Sequence, residues 1–520
     1  MLRNVLLITL DQWRGDCLQH LGHPAVQTPH LSRFARQATG FSRHFAQGAP
    51  CAPSRMSLYS SRYVFNHRVV SNETPVDPTV PTLPDHLREC GIDPWVAGHT
   101  STVWSPQGRS PRDPILVEPA IGPGWSTIRA FDGDRRRYLE YLHARGFERY
   151  ERFADLFNGV LGRTPPGEVP ASPVPIEWSE TAWLVDGVID HLRYSTDRPW
   201  GIHLSVFKPH PPFFPSADFA RRAASITDIG PVGRSCVDDA ATHAHPFLGF
   251  CRSAVKAGYL WPGLEGLACD VDATTLARAR RAYYALCEEV DHQVGRVLDA
   301  LESSGQAQRT LVIITADHGE MLGDQSLWGK TSCLPQAYHI PLLIRDPRPE
   351  ADAARGLTIA DFTENVDLLP TIMDWLGQDA QPHWDGQSLM PYLSSGRHPW
   401  PRQAVSWEFD FRHHAGARHG PVAALPASDR CLTAVLSSDA LYVHFPSLAP
   451  LSFSVEWKGA ASIDYTPRSG RDAQLIREWG RDALLALRMR HADNRRTHLM
   501  QTANGIRSVA PSSRVLDREV

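Results

Sequence analysis

The chain is short of the features that mark secreted, membrane and nucleic-acid-binding proteins. Its nine cysteines are spread over 520 residues with no CxxC pair, which argues against both a disulfide framework and a structural zinc site, and the odd count leaves at least one free thiol. A reducing compartment suits that usage. Neither sign of charge dominates, with 53 Lys and Arg against 57 Asp and Glu, so nothing draws the chain toward nucleic acid or an anionic membrane. No apolar run approaches the length needed to span a bilayer. The nearest thing to a leader is Asn4–Leu10, but it is short, lacks a small-residue cleavage site and runs directly into Asp11. Internal repeats and long low-complexity runs are missing too. These absences lead us to expect a soluble, cytoplasmic protein with no nucleic-acid or membrane partner.

What the chain does have is a series of apolar strands that end in polar residues. Asn4–Leu10 reads as a parallel strand buried on both faces. It delivers Asp11 and Gln12 at its carboxyl end, the edge of an open α/β sheet where ligands gather. Asp93–Ala97 leads into Gly98-His99-Thr100-Ser101, and Trp200–Phe207 into Lys208-Pro209-His210-Pro211-Pro212, where the prolines fix the backbone around the imidazole. Thr310–Ala316 leads into Asp317-His318-Gly319-Glu320, with Lys330 following. Helices are expected over Thr28–Ala38, Thr82–Cys90, Glu177–Tyr194, Ala273–Ser303 and Val366–Leu376. Gly40–Gly48 reads as the approach to another helix near Cys51. Residues 105–175 and 216–270 lack periodicity and read as insertions over the active-site edge. The length suits one large unit with a smaller partner: a catalytic α/β domain over 1–381, then a smaller C-terminal subdomain and tail over 382–520.

Each polar group also has a bland reading. An Asp after a strand is commonly a turn former, and Asn72 is as readily a turn asparagine as a substrate contact. His99 and Ser101 lie in a hydroxyl-rich loop of the kind that is usually only a turn, and an isolated His210 is commonly structural. Together, Asp11, Gln12, Asp317 and His318 favour a divalent metal, and oxygen ligands with one imidazole suit Ca2+, Mg2+ or Mn2+ better than zinc. Between them in the chain, Gln47–Arg62 sets Cys51 beside a proline, a serine and an arginine where a helix should begin. The free N–H groups of such a terminus favour an anion, and Arg55 adds a positive fork. A cysteine there is a low-pKa nucleophile, a metal ligand or an ordinary buried thiol.

The run Cys51-Ala52-Pro53-Ser54-Arg55, with Leu58 and Arg62 in step, resembles the signature of the type I sulfatases and phosphonate monoester hydrolases of the alkaline phosphatase superfamily. The resemblance implies an alkaline-phosphatase-like α/β sandwich with a large, mostly parallel central sheet flanked by helices, plus a smaller C-terminal α+β subdomain. It implies that Cys51 is oxidised to formylglycine by a formylglycine-generating enzyme, and that Asp11, Gln12, Cys51, Asp317 and His318 hold one Ca2+, Mn2+ or Mg2+ ion. Arg55, His210 and Lys330 become catalytic together with Cys51, His210 or Lys330 protonating the leaving oxygen, while Asn72, His99 and Ser101 become substrate contacts. The implied activity is promiscuous hydrolysis of small sulfate monoesters, phosphonate monoesters and phosphodiesters through a covalent formylglycine ester, in a homodimer or homotetramer. Three positions depart from the family pattern. Ser61 replaces a usual glycine, which should shift the packing of the helix. Gln12 replaces the second aspartate of many sulfatases, as the phosphonate branch does, and His99 stands where that branch often has tyrosine. The rival readings are a non-catalytic binder of sulfated or phosphorylated ligands on the same fold, and an enzyme whose nucleophile at position 51 is unmodified.

Overall fold

A computed structural model describes residues 3–110, 113, 116, 121–131, 135–194, 198–226, 245–492, 499–502 and 505–508. The first ten strands in chain order are β1 (Asn4–Leu10), β2 (Thr39–Phe45), β3 (Gly48–Ala49), β4 (Asp93–Gly98), β5 (Ser126–Ala130), β6 (Trp200–Val206), β7 (Thr310–Thr315), β8 (His339–Arg345), β9 (Thr358–Ile359) and β10 (Thr363–Glu364). All but β3 join one sheet ordered β10-β2-β8-β7-β1-β6-β4-β5, with β9 also on β2. Only β8 runs antiparallel to its neighbours β2 and β7. The expected large, mostly parallel sheet is therefore present.

Strand β1 lies in the interior because all seven of its residues are apolar enough, or paired enough, to be buried. Its alternation divides the cores on the two faces. Leu6, Ile8 and Leu10 pack with Val188 and Val290 from the helices Glu180–Tyr194 and Ala273–Ser303. Val5 and Leu7 face the other way, onto Leu58 of the helix Cys51–Ser60 and Leu368 and Ile372 of the helix Leu368–Trp375. The helix Ala273–Ser303 also organises the chain start: Asp291 accepts from the backbone N–H groups of His30 and Leu31 (3.1 and 2.7 Å), capping the helix Pro29–Ala35.

The second sheet is built from β11 (Val405–Asp410), β12 (Cys431–Leu436), β13 (Ala440–His444), β14 (Leu451–Lys458) and β15 (Ser462–Pro467), and it forms a C-terminal subdomain. Its outer strand β11 also pairs in parallel with β3, immediately before Cys51. The helix Gly470–His491 follows it; most of the tail beyond lies outside the described residues. Among those residues, no helix is long and apolar enough to cross a membrane.

The structure differs from the sequence reading in four stretches. The approach to Cys51 contains β2, and β8 had no counterpart in that reading; β8 lies between β2 and β7 in the sheet. Within 105–175, β5 is an edge strand of the main sheet, and its half-exposed Ser-Thr-Ile-Arg-Ala lacks an apolar run. Within 216–270, the helix Pro246–Ala254 buries Phe247 and Phe250 in the core of the second sheet. Part of that stretch, 227–244, lies outside the described residues.

Burial makes acid the enemy of this fold. It holds His20, His23 and His491 down to about 4 and His44 and His67 down to about 3. An unfolded chain protonates these groups near 6.5, so the stability they carry at neutral pH is lost as pH falls below that value. Glu289, Asp291 and Asp324 have the opposite sign, since burial raises the first two to about 7 and the third to about 6, and the folded state binds their protons first. Three carboxyls against five imidazoles leave the histidines in control. The urea midpoint is expected to fall between pH 7 and 5, with each net group contributing about 1.4 kcal/mol per pH unit. A midpoint that rises over that range would contradict the assignment.

Candidate active site

The strand ends β1, β4, β6 and β7 meet the start of the helix Cys51–Ser60 at one edge of the main sheet. Single ligand atoms of Asp11, Cys51, Asp317 and His318 all lie within 4.8 Å of one another, and all four residues are buried. The cysteine Sγ is 3.3 Å from His318 Nε2. His318 Nδ1 faces the Gly319 carbonyl at 3.0 Å. A carbonyl only accepts, so Nδ1 carries the proton and Nε2 presents its lone pair to the cluster. Burial first, with Lys330 helping, holds that imidazole below its usual pKa, against the opposing charge of Asp317.

Arg55 does not reach for a ligand; it is fully buried beneath the cluster. Its guanidinium donates to Asp317 Oδ2 (3.0 Å), Asp11 Oδ2 (3.2 Å), Ser205 Oγ (2.7 Å) and the His99 carbonyl (3.1 Å). His99 Nε2 donates to the same Asp11 oxygen at 3.1 Å. Asp317 Oδ1 accepts from the backbone N–H groups of Gln12 and His318. Two atoms are left over: Asp11 Oδ1, within the cluster, and His99 Nδ1 are buried without a hydrogen-bond partner. A buried carboxylate oxygen without a donor, beside a second carboxylate and an imidazole lone pair, fits a divalent cation.

Gln12 is held at φ 68°, in the left-handed region that side chains rarely adopt. Its carbonyl accepts from Tyr283 Oη at 2.8 Å. Its side-chain Oε1 accepts from Lys330 Nζ (3.0 Å) and Tyr259 Oη (3.1 Å), while Nε2 donates to Glu320, so both lone pairs of that oxygen are engaged and Gln12 has none to spare for the ion that the resemblance implied it would bind. Lys330 Nζ also donates to His210 Nε2 at 3.0 Å. His210 Nδ1 faces the Pro211 carbonyl at 2.7 Å and so carries that ring's proton. Burial, then Lys330, keeps His210 well below its ordinary pKa. Burial alone would discharge Lys330, but Cys51, Tyr259, Asp11 and Asp317 together raise it.

Supporting contacts explain why these loops hold still. Lys208 Nζ donates to the carbonyls of Pro212 (2.8 Å) and His210 (3.3 Å), clamping the proline-rich turn. Asp324 anchors the loop between His318 and Lys330 by pairing with Arg14 and Arg280 (2.9 and 3.1 Å). Gly319 is required because a Cβ there would meet the Gln336 carbonyl at 2.0 Å. Ser61, expected to disturb the helix, instead takes the left-handed cap position a glycine would fill (φ 54°) and donates to the Val366 carbonyl at 2.7 Å.

Of the residues singled out from sequence, the structure brings together Asp11, Gln12, Cys51, Arg55, His99, His210, Asp317, His318 and Lys330. Asn72 accepts from the Ala52 N–H at 2.9 Å and lines the adjoining cleft of about 460 Å3 with Tyr259, Lys330, Lys256, Phe409 and His413. Ser101 is not joined to the cluster: among the described residues it shares no hydrogen bond with these groups, and its φ of 56° puts it in the left-handed region. Sequence reasoning missed Tyr259 and the role of Glu320. Glu320 stood in a recognised run, but Tyr259 lay in an aperiodic stretch with no motif to flag it.

Carboxylates and an imidazole at the strand ends of one α/β sheet, with a helix-start residue facing them and one fixed ammonium, suit hydrolysis of an ester bond. Residues 3–378 match the family model described as Sulfatase, and the chain belongs to that family. It is 32% identical over 513 residues to the multifunctional alkaline phosphatase superfamily protein PehA of Trinickia caryophylli, covering 97% of this chain and 98% of that one. The phosphonate monoester hydrolase of Agrobacterium radiobacter superposes with a TM-score of 0.88 at 33% identity, covering 98% of this chain and all of the other. That of Silicibacter pomeroyi gives 0.84 at 29% identity, covering 98% and 99%.

Proposed function

We propose that this protein is a metal- and formylglycine-dependent hydrolase of small monoanionic esters: sulfate monoesters, phosphonate monoesters and phosphodiesters. The observation that carries the reading is the cluster of Asp11, Asp317 and His318 around Cys51, with an unpartnered carboxylate oxygen and an imidazole lone pair both turned into it. A Ca2+, Mn2+ or Mg2+ ion held there supplies charge stabilisation to the ester's non-bridging oxygens and eases deprotonation of the nucleophile. Similarity to the two phosphonate monoester hydrolases supports phosphonate substrates, similarity to the multifunctional protein PehA supports promiscuity, and the family match supports sulfate esters.

The chain's own residues have distinct tasks. Arg55 and His99 fix the Asp11 carboxylate, and Arg55 fixes Asp317 as well. Lys330, not His210, holds the proton for the leaving oxygen: His210 Nε2 has none and serves as an acceptor that orients the ammonium. Burial first and the Asp11 charge second push the Cys51 thiol up to about 12, so these residues alone make a poor thiolate. A formylglycine at position 51 would supply a hydroxyl to attack and a second to regenerate the aldehyde, which a plain thiol lacks. A reducing, cytoplasmic setting remains our reading from the cysteine usage. A homodimer or homotetramer remains our reading from the family and is checked by sedimentation.

The mass of the proteolytic peptide spanning Cys51, in protein from its native host, is the first test. Aldehyde in place of thiol is expected, and a plain cysteine in protein that still turns over esters would overturn the mechanism. Exhaustive chelation should abolish turnover and one of the three ions restore it. Full activity after chelation would remove the metal from the scheme.

A further inference from the structure

We propose that Tyr259 is a positioning residue for this reaction, its hydroxyl fixing the Gln12 carboxamide and, through it, the Lys330 ammonium. The proposal rests on the functional reading above. Lys330 has three N–H donors and no acceptor, so the oxygen of Gln12 has to face it, and the amide nitrogen is left to donate to Glu320. That orientation gives the Gln12 Oε1 a second lone pair, and the Tyr259 hydroxyl donates to it at 3.1 Å. Two of the three Lys330 donors are thus committed, to Gln12 Oε1 and His210 Nε2, each at 3.0 Å. The third is free to face a substrate oxygen in the cleft that Lys330 and Tyr259 both line.

Tyr259 is itself held firmly, and by the same loop that carries His210. It closes the short turn Ala257–Tyr259, in which Ala257 N donates to Gly266 O at 3.0 Å. The next two residues bind Phe213, three positions after His210: Phe213 N donates to Leu260 O (3.0 Å) and the fully buried Trp261 donates through Nε1 to Phe213 O (2.7 Å). The Tyr259 ring meets the His210 ring edge-on, centroids 5.8 Å apart. One aromatic residue therefore ties the cleft wall, the imidazole and the amide that orients Lys330. Glu320 still pins Gln12 when the hydroxyl is removed, so the expected loss is moderate.

The variant Tyr259→Phe deletes the hydrogen bond and keeps the ring. It should be compared with wild type in metal-loaded enzyme of verified residue-51 mass, on the phenyl and 4-nitrophenyl esters of whichever acid, sulfuric or phenylphosphonic, the wild type hydrolyses faster. A poor leaving group needs the Lys330 proton more than a good one, so kcat should fall about tenfold for the phenyl ester and less than about threefold for the 4-nitrophenyl ester, with little change in KM. In a Lys330→Met background the same change should add almost nothing. Equal losses on both esters, a change confined to KM, or full additivity with Lys330→Met would overturn the proposal and make Tyr259 a wall of the cleft. Wild-type enzyme that turns over neither ester would instead remove the functional reading, and the proposal with it.

Discussion

Arg55→Met is expected to destabilise the chelated protein by about 3–5 kcal/mol, the range for removing one partner of a buried charge cluster. The side chain is 1% exposed and its two carboxylate partners are fully buried, so solvent cannot replace it. Burial alone would raise Asp11, and His99, His210, Arg55 and His318 together bring it well below the carboxylate range. Without the guanidinium, Asp11 and Asp317 would face each other in a dry pocket. A divalent ion would offset part of that repulsion, so metal should stabilise the variant more than it stabilises wild type. Urea midpoints with and without metal give both numbers. Equal destabilisation in the two states would show that Arg55 acts through packing. Turnover should be lost as well, because the carboxylates that Arg55 aligns are the proposed ligands.

Much of this arrangement could be read from the chain because each group follows a signal with a period. The strands ending in Asp11 and Asp317 are near-continuous apolar runs and those ending in His99 and His210 are shorter or more mixed ones, and the structure finds them at Asn4–Leu10, Thr310–Thr315, Asp93–Gly98 and Trp200–Val206. The helix start at Cys51 was legible from a motif, and the long helix Ala273–Ser303 from its repeat. What escaped was structure specified by partners. β5 gains its place by pairing with β4, and the Ala257–Tyr259 turn by bonding to residue 266 while Leu260 and Trp261 after it bond residue 213. Charge roles were harder still. Sequence suggested that Arg55 would meet an anionic ligand, but two carboxylates and a serine already occupy it. His210 and Lys330 looked interchangeable as proton donors until the Pro211 carbonyl fixed the tautomer of the ring.

That distinction gives Lys330→Met its expected effect: kcat should fall by about 10²–10³, the usual cost of removing one fixed donor to developing negative charge. Methionine keeps most of the length and apolar stem while deleting the ammonium that Gln12 and His210 share. Arginine should not rescue it, since a planar fork cannot place one nitrogen between those two acceptors. His210→Gln should cost less than Lys330→Met, because the imidazole orients a proton it does not itself donate. If the two losses were equal, or the larger fell on His210, the assignment of the donor would be reversed. Stability gives an independent check. With a divalent ion and Arg55 already beside Asp11 and Asp317, the ammonium is one cation more than the two carboxylates need. Metal-loaded Lys330→Met should therefore melt no lower than wild type, trading activity for a less strained centre. A large drop in melting temperature would mean that Lys330 holds the site together as well as serving the reaction.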